Sequence, residues 1–171
     1  MYKMNLLELF APVTTFVFDV DGVLTDGGLL LTDEGLMLRI MDIKDGYALQ
    51  LAVKKSYSIW VISSGKCETV RTRLKKLGIQ EIHLGIENKK EFLLEIAAAT
   101  KTDLNTILYM GDDIPDYAAM KWCGLPCCPA DAVSEIKEIS KYISPKNGGK
   151  GCVRDVIEKV LKLNNHWPLP E

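Results

Sequence analysis

An α/β fold built around a parallel sheet follows from three features of this 171-residue sequence. Short β-branched or aromatic runs alternate with helix-periodic segments along the chain. The first such run ends abruptly in two carboxylates, Asp19 and Asp21. No repeat, low-complexity tract or long linker interrupts the alternation. Repeated βα units bury a parallel sheet between two helical layers, because each crossover returns across one face of the sheet.

The elements follow in order. Residues 13–20 read as a strand buried on both faces. Residues 26–41 place two apolar runs around an Asp-, Glu- and Gly-containing turn, which is a β-hairpin signal. This hairpin is unusually apolar, and its Leu, Ile and Met side chains have two destinations: a contact between subunits or burial on the chain's own body. A helix over 45–55 with Ala48, Leu51 and Ala52 on one face leads into a strand over 57–62. A helix over 66–77 with Val70, Leu74 and Leu77 stops at Gly78. A strand over 81–84, a helix over 89–99 with Phe92, Leu93 and Ile96 inward, and a strand over 106–110 come next. The last of these ends in Gly111-Asp112-Asp113. Helices near 115–122, 132–139 and 152–163 then alternate with a short apolar piece at 125–127 and a strand at 141–143. The expected architecture is a Rossmann-like three-layer sandwich in one domain spanning 1–171, with a hairpin at about 26–41 and a tail at about 146–171. About twenty residues separate the first carboxylate pair from the next helix, too few for a helical cap domain.

Composition narrows the function. With 47% hydrophobic and 26% charged residues the chain can bury a substantial core. A net charge of −2 supplies no electrostatic footprint for nucleic acid or an anionic membrane. No apolar run reaches the roughly 20 residues of a membrane span, and the first eight residues lack the apolar core of a signal peptide, so a cytoplasmic location is expected. Five scattered cysteines, an odd number, read as reduced thiols. Trp60, Trp122 and Trp167 read as packing residues, since no basic residues interleave with them.

The chemistry collects at strand ends, which in a parallel sheet lie along one edge. Asp19 and Asp21 follow the first strand, Ser63-Ser64-Gly65 the second, and Asp112, Asp113 and Asp116 a later one, while Lys89 starts a helix. Converging carboxylates repel unless a cation sits among them, and oxygen-only ligation points to a hard divalent ion, with Mg2+ the best fit. A serine hydroxyl and a lysine ammonium beside it make a phosphate clamp, so phosphoryl transfer is the implied reaction. Asp19 can attack phosphorus to form an aspartyl-phosphate, and Asp21 can serve as general acid and then base. Gly22 lets the chain turn sharply away.

At these residues the chain resembles the haloacid dehalogenase-like superfamily of phosphohydrolases. Its four motifs occur in order as Asp19-Val20-Asp21-Gly22-Val23-Leu24-Thr25, Ser63, Lys89 and Gly111-Asp112-Asp113-Ile114-Pro115-Asp116. The resemblance implies that Asp19 is the nucleophile and Asp21 the acid/base. It gives Mg2+ to Asp19, Asp112 and the Asp21 carbonyl, phosphate to Ser63 and Lys89, and a supporting place to Asp113 and Asp116. Within the superfamily, Ile43-Lys44-Asp45-Gly46-Tyr47-Ala48, Leu84-Gly85-Ile86-Glu87-Asn88-Lys89 and Gly148-Gly149-Lys150-Gly151-Cys152-Val153-Arg154-Asp155 look like the capless family of 3-deoxy-D-manno-octulosonate 8-phosphate (KDO 8-phosphate) phosphatases. That family implies hydrolysis of a sugar-acid phosphate in lipopolysaccharide precursor synthesis. It also implies a homotetramer whose hairpins form a central barrel, a tail reaching a neighbouring site, and an arginine at Arg73 that contacts substrate.

Two departures from the family pattern stand out. Ser63-Ser64 replaces the usual Thr-Gly, leaving either serine as the main phosphate contact. Gly65 stands where relatives acting on the nine-carbon 2-keto-3-deoxynononate 9-phosphate carry glutamate, which favours the eight-carbon ester. Without the resemblance, Arg73 reads equally as a solvated helix residue, Arg154 as an anchor of the tail, and Gly148 to Gly151 as a hinge more readily than as a phosphate loop. A noncatalytic scaffold would have lost Asp19 or Asp112, and a phosphotransferase would need a cap to exclude water.

Overall fold

The computed structural model describes residues 6–168. The expectations that touch 1–5 of the N-terminus and 169–171 of the tail lie outside the described residues. Six parallel strands, β1 (Thr15–Phe18), β4 (Ser58–Ser63), β5 (Glu81–Leu84), β6 (Ile107–Met110), β7 (Leu125–Cys128) and β8 (Tyr142–Ile143), form one sheet in the order β5-β4-β1-β6-β7-β8. Between β1 and β4 lies a small antiparallel ribbon of β2 (Leu30–Leu31) and β3 (Met37–Leu38). The helices are α1 (Leu6–Phe10), α2 (Ile43–Lys54), α3 (Glu68–Lys76), α4 (Lys89–Thr100), α5 (Ile114–Met120), α6 (Ser134–Ile139) and α7 (Cys152–Leu163). Among the described residues no helix is long and apolar enough to cross a membrane.

The expected three-layer sandwich is present, and the strands show why. Side chains alternate across a sheet, so Phe16, Phe18, Ile59, Val61, Leu108 and Met110 join α2, α3 and α7 in one core. Their neighbours Val17, Trp60, Ile62, Ile107 and Tyr109 join α4, α5 and α6 in the other. Each fully buried apolar side chain contributes about 1.5–3 kcal/mol, so the strands need to be apolar throughout. Adjacent Cys127 and Cys128 fall into opposite cores, and all five cysteines are free thiols.

Several details differ from the sequence reading. The first strand stops at Phe18, because Asp19 opens a tight turn over Val20–Leu24. In α2 the buried stripe is Ala48, Leu49 and Ala52, while Leu51 packs only at the margin. Trp60 is in the core, whereas Trp122 is half exposed with the Lys90 ammonium over its ring. Helix α1, too short to leave a periodic signal, was not anticipated.

The ribbon and the tail differ most. The ribbon's apolar side chains do not fold back on the chain: Leu30 is 66% exposed, Leu31 68% and Ile40 69%. The glycines before α7 are not a hinge. Gly148 and Gly149 are buried against the first motif's turn, and a Cβ at Gly148 would lie 2.0 Å from the Gly22 carbonyl oxygen. The Gly149 amide donates to the Val23 carbonyl at 2.9 Å, and Gly148 donates to Asp131 at 2.9 Å. Up to Trp167 the tail packs on its own chain, with Trp167 edge-on to Tyr47 and the Arg154 guanidinium against both rings.

Candidate active site

Strand order places the chemistry. β1 lies between β4 and β6, with Phe18 in register with Val61 on one side and Met110 on the other. The chain fills one side of β1 before crossing to the other, which leaves a crevice at the carboxyl ends of these strands. Asp19, Asp21, Ser63, Ser64, Gly65, Lys89, Asp112 and Asp113 line an open cavity of about 290 Å³ there. Seven of these were expected site residues, and Gly65 is the eighth.

Backbone geometry explains the first motif. Gly22 has φ +84°, and a Cβ there would lie 1.9 Å from an Asp112 carboxylate oxygen, so conformation and space both require glycine. The Thr25 hydroxyl accepts from the Gly22 and Gly27 amides at 3.4 and 3.3 Å and ties the turn together.

Around this turn, buried charge dominates. Lys89, 2% exposed, donates to Asp19 Oδ1 at 2.9 Å and to Asp116 Oδ1 at 2.7 Å. Burial works against its charge, but Asp116 and Asp19 outweigh it and hold the Lys89 pKa above the ordinary lysine value. Asp19 also accepts from the Val20 amide at 2.7 Å. Burial, reinforced by the Asp116 charge and opposed by Lys89, pushes the Asp19 pKa up to about 7. Burial and then the charges of Asp116 and Asp113 push Asp112 up to about 7 as well. The fully buried Tyr109 hydroxyl donates to Asp116 Oδ1 at 2.9 Å, a contact hidden in the sequence because Tyr109 is also a good strand residue.

Asp19, Asp112 and Asp116 each bring one carboxylate oxygen within 4.8 Å of the others. One ammonium cannot balance three carboxylates. Asp112 Oδ1 and Asp116 Oδ2 are also buried without a hydrogen-bond partner among the described residues, a costly state for an anion. Hard oxygen donors, surplus negative charge and two orphaned oxygens fit a divalent metal ion. Asp116, expected behind the ligands, is as close to this cluster as Asp19 and Asp112. Asp113 instead caps α5, accepting from the Ile114 amide at 2.7 Å.

The two serines differ. Ser63, 3% exposed, accepts from the Gly65 amide at 3.2 Å and keeps its O–H available. The Ser64 hydroxyl is engaged with the Ile86 carbonyl at 3.0 Å. Arg73 is not brought to the cavity; it lines a neighbouring one with Leu38, Arg39 and Met41. One polar contact was missed entirely: Arg39, from the segment after β3, forks onto Asp21 through Nε at 2.6 Å and Nη2 at 3.1 Å.

A family model described as haloacid dehalogenase-like hydrolase matches residues 49–157. The chain belongs to this family. Among curated members, the KDO 8-phosphate phosphatase of Salmonella typhi is 29% identical over 168 residues, covering 92% of this chain and 89% of that protein. The chain is also similar to a solved KDO 8-phosphate phosphatase from Moraxella catarrhalis in complex with magnesium, phosphate and KDO. That structure gives a TM-score of 0.90 at 30% identity, with 94% of this chain and 93% of that one covered. A cobalt-bound family member from Haemophilus influenzae, the deoxy-D-mannose-octulosonate 8-phosphate phosphatase, superposes with a TM-score of 0.87 at 26% identity, covering 92% of both chains.

Proposed function

We propose that this haloacid dehalogenase-like hydrolase removes phosphate from KDO 8-phosphate through an aspartyl-phosphate on Asp19, with Mg2+ as its ion. The observation that carries this reading is the buried Lys89 bridge between Asp19 and Asp116 beside orphaned Asp112, in the cavity that also holds Asp21 and Ser63. Similarity to the Moraxella catarrhalis phosphatase supports the substrate class.

Asp19 Oδ2, the oxygen held by neither Val20 nor Lys89, is the attacking atom. As it bonds to phosphorus the sugar C–O–P ester breaks at the P–O bond, and Asp21 donates a proton to the leaving alkoxide. Water then attacks phosphorus, the bond to Asp19 breaks with its electron pair returning to the carboxylate, and Asp21 takes the water's proton. Ser63 donates to a phosphoryl oxygen while Lys89 holds Asp19 and offsets charge. Asp19, Asp112 and the Asp21 carbonyl would hold the metal, with Asp116 and Asp113 beside them, and the ion supplies charge neutralisation at the transferring phosphoryl group.

The exposed apolar ribbon supports assembly as a homotetramer in the cytoplasm, in which Arg73 serves the sugar-acid end of substrate. The reaction belongs to lipopolysaccharide precursor synthesis. Phosphate release from the eight-carbon and nine-carbon esters tests the substrate, and turnover preferring the nine-carbon ester overturns it. Asp19→Asn and metal chelation should each abolish release; full activity in either refutes the mechanism.

A further inference from the structure

The Asp21 carboxylate lines the cavity and stands partly in solvent, with its side chain 39% exposed. Among the described residues, the hydrogen bonds to that carboxylate all come from Arg39. The arginine is itself braced: Nη1 donates to the Met37 carbonyl at 3.2 Å, and its side chain is only 12% exposed on an otherwise exposed ribbon. Behind the pair, a small cleft is lined by Gly65, Cys67 and Val70, and a Cβ at Gly65 would lie 3.4 Å from Asp21 Oδ2 and 3.7 Å from Arg39 Nη2. The ribbon therefore reaches into the site through one side chain.

Building on the proposed two-step hydrolysis, we infer that Arg39 is a positioning residue for the water-activating half of the reaction. A planar fork fixes both the place and the plane of a carboxylate, which a single hydrogen bond does not. Both carboxylate oxygens accept from the one guanidinium, so the fork sets where the carboxylate stands against the attacking water. When water attacks the aspartyl-phosphate, one of its protons passes to an Asp21 oxygen, the P–O bond to Asp19 breaks, and hydrogen phosphate leaves. The new O–H on Asp21 occupies one oxygen, so one arm of the fork opens. The proton then goes to the next leaving alkoxide, and the fork re-forms. Arg39 thus acts in the step common to every ester, the breakdown of the intermediate.

The test follows both half-reactions in the full-length, magnesium-loaded chain with p-nitrophenyl phosphate and KDO 8-phosphate. Arg39→Met should lower kcat about 100-fold, within the range of lost general-base catalysis. It should also release p-nitrophenol in a burst of one equivalent per site, with an acid-stable phosphoryl group trapped on the protein. With p-nitrophenyl phosphate, whose leaving group needs no proton, turnover should then be set by the slow breakdown alone, and Arg39→Lys should recover part of the lost rate. The burst itself reports a folded site. A fall in kcat with no burst in either variant assigns Arg39 to substrate binding or packing and overturns the inference. Unchanged turnover in Arg39→Met also overturns it while leaving the hydrolase reading intact. A wild-type chain inactive on both esters overturns both.

Discussion

The carboxyl edge of the sheet and the β2–β3 ribbon are each incomplete, in opposite ways. At the sheet edge, Asp112 and Asp116 bury oxygens that no donor among the described residues reaches. On the ribbon, Leu30, Leu31 and Ile40 present apolar surface that nothing among the described residues covers. The first deficit is one of charge, acts over a few ångströms at buried oxygens, and can be met by a single ion. The second is one of area, and only another apolar surface meets it. Arg39 spans the two, leaving the ribbon to pair with Asp21 at the edge.

The sharpest way to break the contrast is at the edge. Lys89→Met leaves Asp19 and Asp116 without their ammonium, and breaking such a buried pair costs about 3–5 kcal/mol. Thermal melts should show a large loss, and added magnesium should restore part of it by mass action. A melt unchanged from wild type would mean the edge is already balanced.

The ribbon is expected to respond in assembly and leave the fold alone. Leu30→Lys with Leu31→Lys should reduce the mass found by light scattering to a single 19.1 kDa chain. Exposed substitutions usually change stability by no more than about 0.5 kcal/mol, so the monomer should melt close to the parent subunit. A wild-type chain already monomeric would remove the contrast.

Protonation acts on the same edge. Burial and then neighbouring acidic charge raise Asp19 and Asp112 from an ordinary value of 3.8 to about 7. Between those values the folded metal-free chain binds protons that the unfolded chain has released, so stability falls as pH rises from about 4 to about 7. Melting temperature in chelator should accordingly be higher at about pH 5 than at about pH 8, and magnesium should flatten the slope. The smallest change expected is Gly65→Ala, whose Cβ would meet Asp21, Ser63 and Arg39 at 3.4 to 3.7 Å, ordinary contact distances. Its kcat should stay within about threefold of wild type. A greater loss would show that the Arg39–Asp21 fork tolerates no neighbour.

Much of the edge was readable from the chain because burial and polarity conflict there openly. A strand as apolar as residues 15–18 has no reason to end in Asp19, nor Ile107–Met110 in Asp112, unless the ends face a ligand. Helix α7 was bounded correctly because Val153, Val156, Ile157 and Val160 repeat at helical spacing. The contacts that stayed hidden join distant segments through residues with an ordinary local explanation. Arg39 sits among exposed apolar neighbours, and nothing in its own segment points to Asp21. Tyr109 suits a strand, and its hydroxyl's partner is revealed only by the α5 turn that brings Asp116 under it. Glycines at 148 and 149 suggest freedom until the Gly22 turn is seen pressed against them.

That last packing sets an order of events during synthesis. The first motif leaves the ribosome early, yet the Gly149 amide that holds Val23 is made more than a hundred residues later. A nascent chain can pair β1 with β4 and β6, but the turn carrying Asp21 gains its backing only when the last segment arrives. The loop that carries the nucleophile is therefore braced only once Gly148 and Gly149 have been made.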